Sequence, residues 1–175
     1  MNIACGNVQD LLIPLVEYPH IREDSSLRDA FVAIEQGLTT GKRFRHVLVL
    51  DDKDNLVGLM GMRDILRGIF PDYLRATLPG QSRDETTSLP QYPALALLWQ
   101  DSFHTQSREA ASKPVKPHMA PVTVTVSPSD PVTKAAYLMV FTDSSMLPVV
   151  ENHSVVGVIR MVDVFNEASK VVLHG

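Results

Sequence analysis

The stretch VVGVIRMVDVF, residues 155–165, is the second copy of a segment that the chain already contains as LVGLMGMRDIL, residues 56–66. Four aligned pairs are identical: Val57 and Val156, Gly58 and Gly157, Met62 and Met161, and Asp64 and Asp163. Five further pairs exchange one apolar residue for another, and only Gly61/Arg160 and Arg63/Val162 change character. An apolar segment that leads twice to an aspartate indicates an internal duplication.

The similarity continues toward the N-terminus of each copy. HVLVLDDKDNLVG (46–58) parallels MLPVVENHSVVG (146–157), and in both segments two β-rich runs surround a polar turn, which is typical of a β-hairpin. Further upstream, SSLRDAFVAIEQGL (25–38) parallels SDPVTKAAYLMV (129–140), and each segment has apolar residues at helical spacing. These predicted stripes are Leu27, Ala30, Phe31, Ile34 and Leu38 in the first copy, and Val132, Ala135, Ala136, Met139 and Val140 in the second.

Both predicted helices have a recognisable start. Ser26, followed three residues later by Asp29, resembles a capping box. Asp130 followed by Pro131 predicts an N-cap and first-turn pair, because the N–H that proline lacks would have no partner at that position.

Each copy is therefore predicted to contain a leading turn, a strand, a helix, two strands and a closing helix. The strand before the helix is strongly indicated by TVTVSP (123–128) and weakly by YPHIRED (18–24). The leading turns are VQDLL (8–12) and VKPHM (115–119), and the closing helices are DILRGIF (64–70) and DVFNEASKVVL (163–173).

Neither copy is long enough to bury the apolar surface that a stable separate domain needs, so the two copies are expected to pack together. The predicted fold class is α/β (α+β-like), with tandem β-α-β-β-α repeats, pseudo-twofold symmetry and small mixed sheets packed with helices. The predicted divisions are a first repeat at 1–70, an insert at 71–114 and a second repeat at 115–175.

The insert has two parts of different character. LPGQSRDETTSLPQ (78–91) is polar, bounded by prolines and predicted to be a loop. ALALLWQDSFHTQSREAA (94–111) places Leu95, Leu98, Trp99 and Phe103 on one helical face. This face is either packed on the repeats, as such stripes usually are, or available to a partner, since Trp and Phe are favoured interface residues.

The composition limits the function classes. A hydrophobic content of 45% with 21% charged residues is typical of a folded globular protein. The formal net charge of −4 argues against a nucleic-acid partner. A single cysteine, Cys5, excludes an internal disulfide framework. No apolar run approaches the ~20 residues of a membrane span, and no signal peptide is recognisable, so a cytoplasmic protein is expected.

Taken in this order and duplicated, these motifs resemble the CBS domain pair, or Bateman module. MLPVVENHSVVGVIRMVDVF (146–165) is similar to the family signature, and RHVLVLDDKDNLVGLMGMRDIL (45–66) is a looser copy. The resemblance covers residues 8–70 and 115–173. It implies a regulatory module that binds an adenosine-containing ligand, such as AMP, ADP, ATP or S-adenosylmethionine, between the repeats. It also implies a homodimer that acts on a regulated protein, whose identity the resemblance leaves open.

In that family, the aspartate at the start of the closing helix holds the ribose hydroxyls, which assigns this role to Asp64 and Asp163. An ionised carboxylate accepts two hydroxyl donors well. The alternative is that each aspartate only caps its helix. Three residues earlier the family usually has Ser or Thr. Here, Gly61 offers only a backbone N–H and space, whereas Arg160 either clamps a phosphate or pairs with a surface acid.

Three other polar residues lie in segments that the resemblance brings near the predicted sites. The resemblance places Thr125 where the second repeat meets the base, although a threonine there also suits a sheet. His20 corresponds to it in the first repeat, where the strand signal is weak. His46, beside an apolar strand, is expected to be structural.

No sequence feature predicts catalysis. The chain has no glycine-rich phosphate loop, no G-x-S-x-G elbow and no H-E-x-x-H motif. Its six histidines lack the spacing of helical metal ligands. The sequence therefore predicts a nucleotide-binding regulatory module rather than an enzyme. The competing hypothesis is a dimerising scaffold of the same fold that has lost its ligand sites.

Overall fold

A computed structural model describes residues 6–39, 41–70 and 102–174. The first repeat contains β1 (Ile13–Pro14), β2 (His20–Arg22), α1 (Leu27–Thr39), β3 (His46–Leu50), β4 (Leu56–Gly61) and α2 (Met62–Ile69). After α3 (Ser102–Ala110), the second repeat contains α4 (Val132–Thr142), β5 (Met146–Glu151), β6 (Ser154–Arg160) and α5 (Met161–His174). The predicted tandem α/β repeats with small sheets are confirmed.

The two repeats exchange their leading segments. One sheet has the order β2-β3-β4 and the other has the order β1-β6-β5. β1 comes from the first repeat, yet Ile13 and Pro14 pair with Val158 and Gly157 of the second. In return, Ala120 pairs with Leu59 of the first repeat through two backbone hydrogen bonds. The sheet of the second repeat therefore includes a strand from the first, and the edge strand β4 of the first repeat bonds a residue of the second.

The strand predicted at 123–128 is wrong in extent, because only Val126 pairs there, opposite Val149 of β5. In the first repeat, the Leu48 N–H donates to the Pro19 carbonyl at 3.0 Å and extends the parallel ladder. The equivalent position on β5 is Pro148, which has no N–H to donate. The segment with the weaker sequence signal therefore forms the longer strand, β2.

The helix starts agree with prediction in one repeat and differ in the other. Ser26 and Asp29 form the predicted capping box, since the Ser26 N–H donates to Asp29 at 2.8 Å and the Asp29 N–H donates to the Ser26 hydroxyl. Asp130 is not the N-cap as predicted, because α4 begins one residue later with Pro131 in that role. The Asp130 carboxylate instead accepts from the Ser127 N–H and from Lys134.

The buried core joins the repeats. One cluster combines Ile13, Tyr18, Phe44, Leu48 and Leu50 with Met146, Val155 and Val158. Most predicted stripe positions are buried, including Leu27, Ala30, Ile34, Val132, Ala135 and Met139. Phe31, Leu38 and Val140 are exposed instead.

The insert is described only in part. α3 packs against α2, and Ala110 belongs to the first repeat's core cluster. Phe103 is about half exposed. Leu95, Leu98, Trp99 and the loop predicted at 78–91 lie outside the described residues. Part of the predicted helix thus packs on the first repeat.

Candidate functional site

A cavity of about 690 Å³ lies between the two repeats. The first repeat contributes Tyr18, the loop of residues 41–45 between α1 and β3, and His46 at the start of β3. The second contributes Ser145, Met146 and the junction between β6 and α5. Small-molecule sites have volumes of about 300–1,000 Å³, so this cavity has the size of a ligand site.

The lining of this cavity is basic, although the protein is acidic. Its basic residues are Lys42, Arg43, Arg45 and Arg160. Its acidic residue is Asp163, whereas the whole chain has a formal net charge of −4. Among the residues that the structure describes, neither Arg43 nor Arg45 has an acidic partner. Charges of one sign gathered in a cleft raise the local concentration of the opposite charge, so this cavity favours anions.

Arg160 joins the two repeats across the cavity. Its Nε and Nη2 donate to the two carboxylate oxygens of Asp163 at 2.6 and 2.8 Å. Its Nη1 donates to the carbonyl oxygen of Lys42, in the first repeat. The guanidinium also lies 5.6 Å from the centroid of the Phe44 ring, within cation–π range. The side chains of Arg160 and Asp163 are only 18% and 22% exposed.

Two buried aromatic rings support this arrangement. The centroids of Tyr18 and Phe44 are 4.8 Å apart, with the rings tilted at 57°. Burial raises the pKa of the Tyr18 phenol well above its ordinary value, and the nearby charge of Arg160 opposes the shift. The phenol therefore stays protonated at neutral pH and keeps an O–H donor.

The equivalent junction in the first repeat is arranged differently. The Gly61 N–H donates to Asp64 at 2.9 Å, so Asp64 caps the start of α2. The ring of His46 fills the space beside Gly61, since a Cβ at Gly61 would lie 2.8 Å from His46 Cδ2. The absence of a side chain at Gly61 therefore makes room for the His46 ring.

The residues predicted from the sequence fall into three places. Arg160 and Asp163 line the cavity together. Gly61 and Asp64 are bonded to each other in the first repeat and are not among the lining residues. Thr125 is exposed, next to Val126, whose N–H donates to the Pro148 carbonyl.

Sequence reasoning missed the loop that forms the opposite wall. The run GKRFR, residues 41–45, contains three basic side chains in an acidic protein. This density of basic residues could have indicated that the loop belongs to the site. Its position beside α5 could not be inferred, because the two segments are separated by more than 100 residues.

His46 is partly buried, and for this reason we expect the folded protein to lose stability in mild acid. Burial lowers its pKa, with Arg45 adding to the shift and Asp64 opposing it. Because the folded pKa lies below the unfolded value of about 6.5, the unfolded state takes up the proton first as pH falls. The stability that depends on a neutral His46 is therefore retained well above pH 6.5 and is lost as the pH falls through 6.5 toward the folded pKa.

Urea unfolding at pH 7.5 and 5.5 should show this decline, and His46→Met should reduce it, since Met146 occupies the equivalent position of the second repeat. His104→Met, at an exposed histidine of α3, should leave the decline unchanged. An equal pH dependence in wild type and His46→Met would contradict the prediction.

The described residues include no helix long and apolar enough to cross a membrane. Within the same ranges, no three His, Cys, Asp or Glu side chains are grouped so as to hold a metal ion.

Fold and site together define a module of two tandem α/β repeats that share a core and enclose a basic cavity. The sequence matches the CBS domain family over residues 8–70 and 113–170, which is most of the chain. The chain belongs to the CBS domain family.

Solved structures agree with this assignment at the level of the fold. CBSX2, a CBS-pair protein from Arabidopsis thaliana, is 19% identical, with a TM-score of 0.64 over 97% of this chain and 98% of that one. CBSX2 in complex with AMP is 21% identical, with a TM-score of 0.63 over 94% and 97%. The cytosolic domain of the Mg²⁺ channel MgtE in complex with ATP is 20% identical, with a TM-score of 0.57 over 89% of this chain and 46% of that one. A comparison with curated proteins found no match.

Proposed function

We propose that this protein is a regulatory module that binds an adenine nucleotide in the cavity between its repeats. The observation that carries the proposal is the basic lining of a ligand-sized cavity whose walls come from both repeats. AMP and ATP are the ligands named for two proteins of similar fold. Among the candidate ligands, the charge of the lining favours ADP and ATP over AMP, and all three over the sulfonium cation of S-adenosylmethionine.

Two sets of residues have a role in this proposal. Arg160 and the loop residues Arg43 and Arg45 supply donors for phosphate oxygens, because a guanidinium matches a phosphate bidentately. Gly61 and Asp64 stay predictions for a site in the first repeat, and Thr125 stays a prediction for contact with the base in the second repeat; none of the three is a lining residue of this cavity.

Regulation would follow from the position of the cavity. A ligand shifts a conformational equilibrium only when it binds two states with different affinity. A ligand that contacts both repeats binds with different affinity when the relative position of the repeats changes. We include in the proposal a cytoplasmic location, a homodimer and a regulated protein that responds to occupancy.

Thermal unfolding with adenosine, AMP, ADP and ATP tests the proposal. Saturation at 100 times Kd stabilises a protein by about 2.7 kcal/mol. For a chain of this size, that corresponds to a rise in Tm of roughly 5–10 °C. ATP and ADP should give the largest rise and adenosine the smallest. Absence of any shift at millimolar nucleotide would contradict nucleotide binding.

The scaffold hypothesis has one structural observation in its favour. Outside the cavity lining, the surface of α4 and α5 exposes the apolar residues Tyr137, Val140, Phe141 and Val172. Exposed apolar patches mark interaction sites, so this face suits dimerisation. A dimer that forms normally but binds no nucleotide would support a scaffold.

A further inference from the structure

His46 lies between the cavity and the junction of β4 with α2. Its side chain lines the cavity, together with the four basic residues described above. The same ring also lies against the first repeat's own junction, since a Cβ at Gly61 would be 3.1 Å from His46 Nε2 and 3.6 Å from a carboxylate oxygen of Asp64. One imidazole therefore contacts the space for a ligand and lies near a carboxylate of the protein.

The ring nitrogens of His46 are available to a ligand. Within the described parts of the chain, neither nitrogen takes part in a hydrogen bond. Among those same residues, only Ser107 Oγ is a fully buried side-chain polar atom without a partner, so the nitrogens of His46 are accessible. A neutral imidazole has one N–H donor and an imidazolium has two, so the charged form is the better ligand for an anion.

We infer that His46 couples nucleotide binding to the uptake of a proton. Without ligand the ring is neutral, and when a phosphate chain enters the cavity the ring takes one proton from the solvent and donates to the anion as an imidazolium. This inference rests on the proposed function, to which it adds a binding residue and a response to pH. By linkage, the anion and the proton strengthen each other's binding by the same factor.

The immediate surroundings of the ring keep it neutral without ligand. Burial lowers the pKa of His46, the charge of Arg45 on the preceding residue adds to this shift, and Asp64 at the start of α2 opposes it. The sum of these effects lies below the ordinary value of about 6.5, so the ring carries little charge at neutral pH.

The rest of the cavity acts in the same direction until an anion binds. Its positive groups outnumber its carboxylate, so they oppose a further positive charge on His46. Phosphate oxygens reverse this balance, because an opposite charge within about 4–6 Å of a titrating group favours its charged form. The other charged or titratable groups of the lining are Tyr18, Lys42, Arg43, Arg160 and Asp163.

The second repeat shows that the fold does not require a titratable ring at this position. Met146 is the equivalent residue, and it pairs with Arg160 across the hairpin as His46 pairs with Gly61. Met146 is buried and also lines the cavity. His46→Met therefore installs a side chain that the protein already uses at the same place in its other repeat.

Proton NMR of the six histidine rings of the full chain, with and without saturating ATP, tests the inference. One ring should titrate below the ordinary value without ATP, and its pKa should rise by about one or more with ATP. Its resonance should be missing in His46→Met. If ATP binds and no histidine pKa rises, the inference is overturned and the proposed function stands. Failure of ATP to bind at millimolar concentration would overturn both.

Calorimetric titration with ATP at about pH 8 and pH 6.5 tests the assignment to His46. His46→Met and His46→Gln, neither of which can take up the proton, should bind ATP within threefold of wild type at the higher pH and at least fivefold more weakly at the lower. The ratio of variant to wild type cancels the protons that ATP itself binds. His104→Met, in α3 outside the cavity, should match wild type at both. A ratio that is the same at both pH values would overturn the assignment, and the NMR titration of wild type decides if both His46 variants fail to fold.

Discussion

Gly157→Ala will destabilise the protein by about 3 kcal/mol or more, whereas Gly58→Ala, at the equivalent position of the first repeat, will cost about 1–2 kcal/mol. A Cβ at Gly157 would collide with the carbonyl group of Ile13, approaching its carbon to 3.0 Å and Leu12 Cδ1 to 2.7 Å. That carbonyl is backbone of β1, which is paired with β6 at this point. A backbone strand cannot rotate away, so the pairing itself must yield.

At Gly58 the obstacle is different. A Cβ there would meet the side chain of Met119, with Cγ at 2.8 Å. Methionine has three rotatable bonds and adapts to altered packing, so part of the strain is relieved. The two glycines are identical in the sequence alignment, and only their neighbours distinguish them.

Denaturant unfolding of the two variants measures the difference. Gly41→Ala is the matched control, because nothing lies within 4 Å of a Cβ at that position. It should leave stability unchanged or raise it by up to about 1 kcal/mol. Equal losses at Gly58 and Gly157 would show that the exchanged strand β1 is not a rigid part of the second sheet.

The larger effect at Gly157 has a second consequence. β1 supplies Ile13 to the core cluster that also contains Tyr18 and Phe44. Those two rings line the cavity, and Phe44 lies against Arg160. Displacing β1 should therefore weaken nucleotide binding as well as the fold.

Much of the fold could be predicted because its signals are local. The hairpins, the helices and their duplication follow from alternating and helical apolar patterns within short segments. The exchange of β1 and Ala120 between the sheets could not be predicted, because it pairs residues distant in sequence. The strand predicted at 123–128 is short for a different reason. Its partner on β5 is Pro148, which lies on another segment and has no N–H to donate.

The candidate site was predictable only in part. The alignment of the two copies identified Asp163 as a shared residue and Arg160 as a departure from its counterpart Gly61, and the structure places both Arg160 and Asp163 at the cavity. That these two bind each other, and that Lys42 and Phe44 complete the contact, depends on folding of the chain across the repeats. For Asp64, both the capping and the ribose hypothesis fitted the sequence, and the structure shows the cap.

Arg43→Glu should weaken ATP binding by at least about 2 kcal/mol, or roughly 30-fold in Kd. Arg43 lines the cavity and has no acidic partner among the described residues, so its charge is available to a phosphate. Its φ of 47° lies in the left-handed region, which is uncommon outside glycine and indicates that the loop is held in a defined conformation. Calorimetric titration measures the change.

Lys53→Glu is the control for net charge. It makes the same change of two charge units at the exposed tip of the β3–β4 turn, away from the cavity. ATP affinity should fall little in that variant, and the small loss should vanish in high salt, because distant exposed charges are screened beyond about 10 Å at 0.1 M. The Arg43→Glu effect should grow from adenosine to AMP to ATP, since each added phosphate brings charge to the loop. Equal losses in the two variants, or an equal loss for adenosine, would place the phosphate chain elsewhere on the protein.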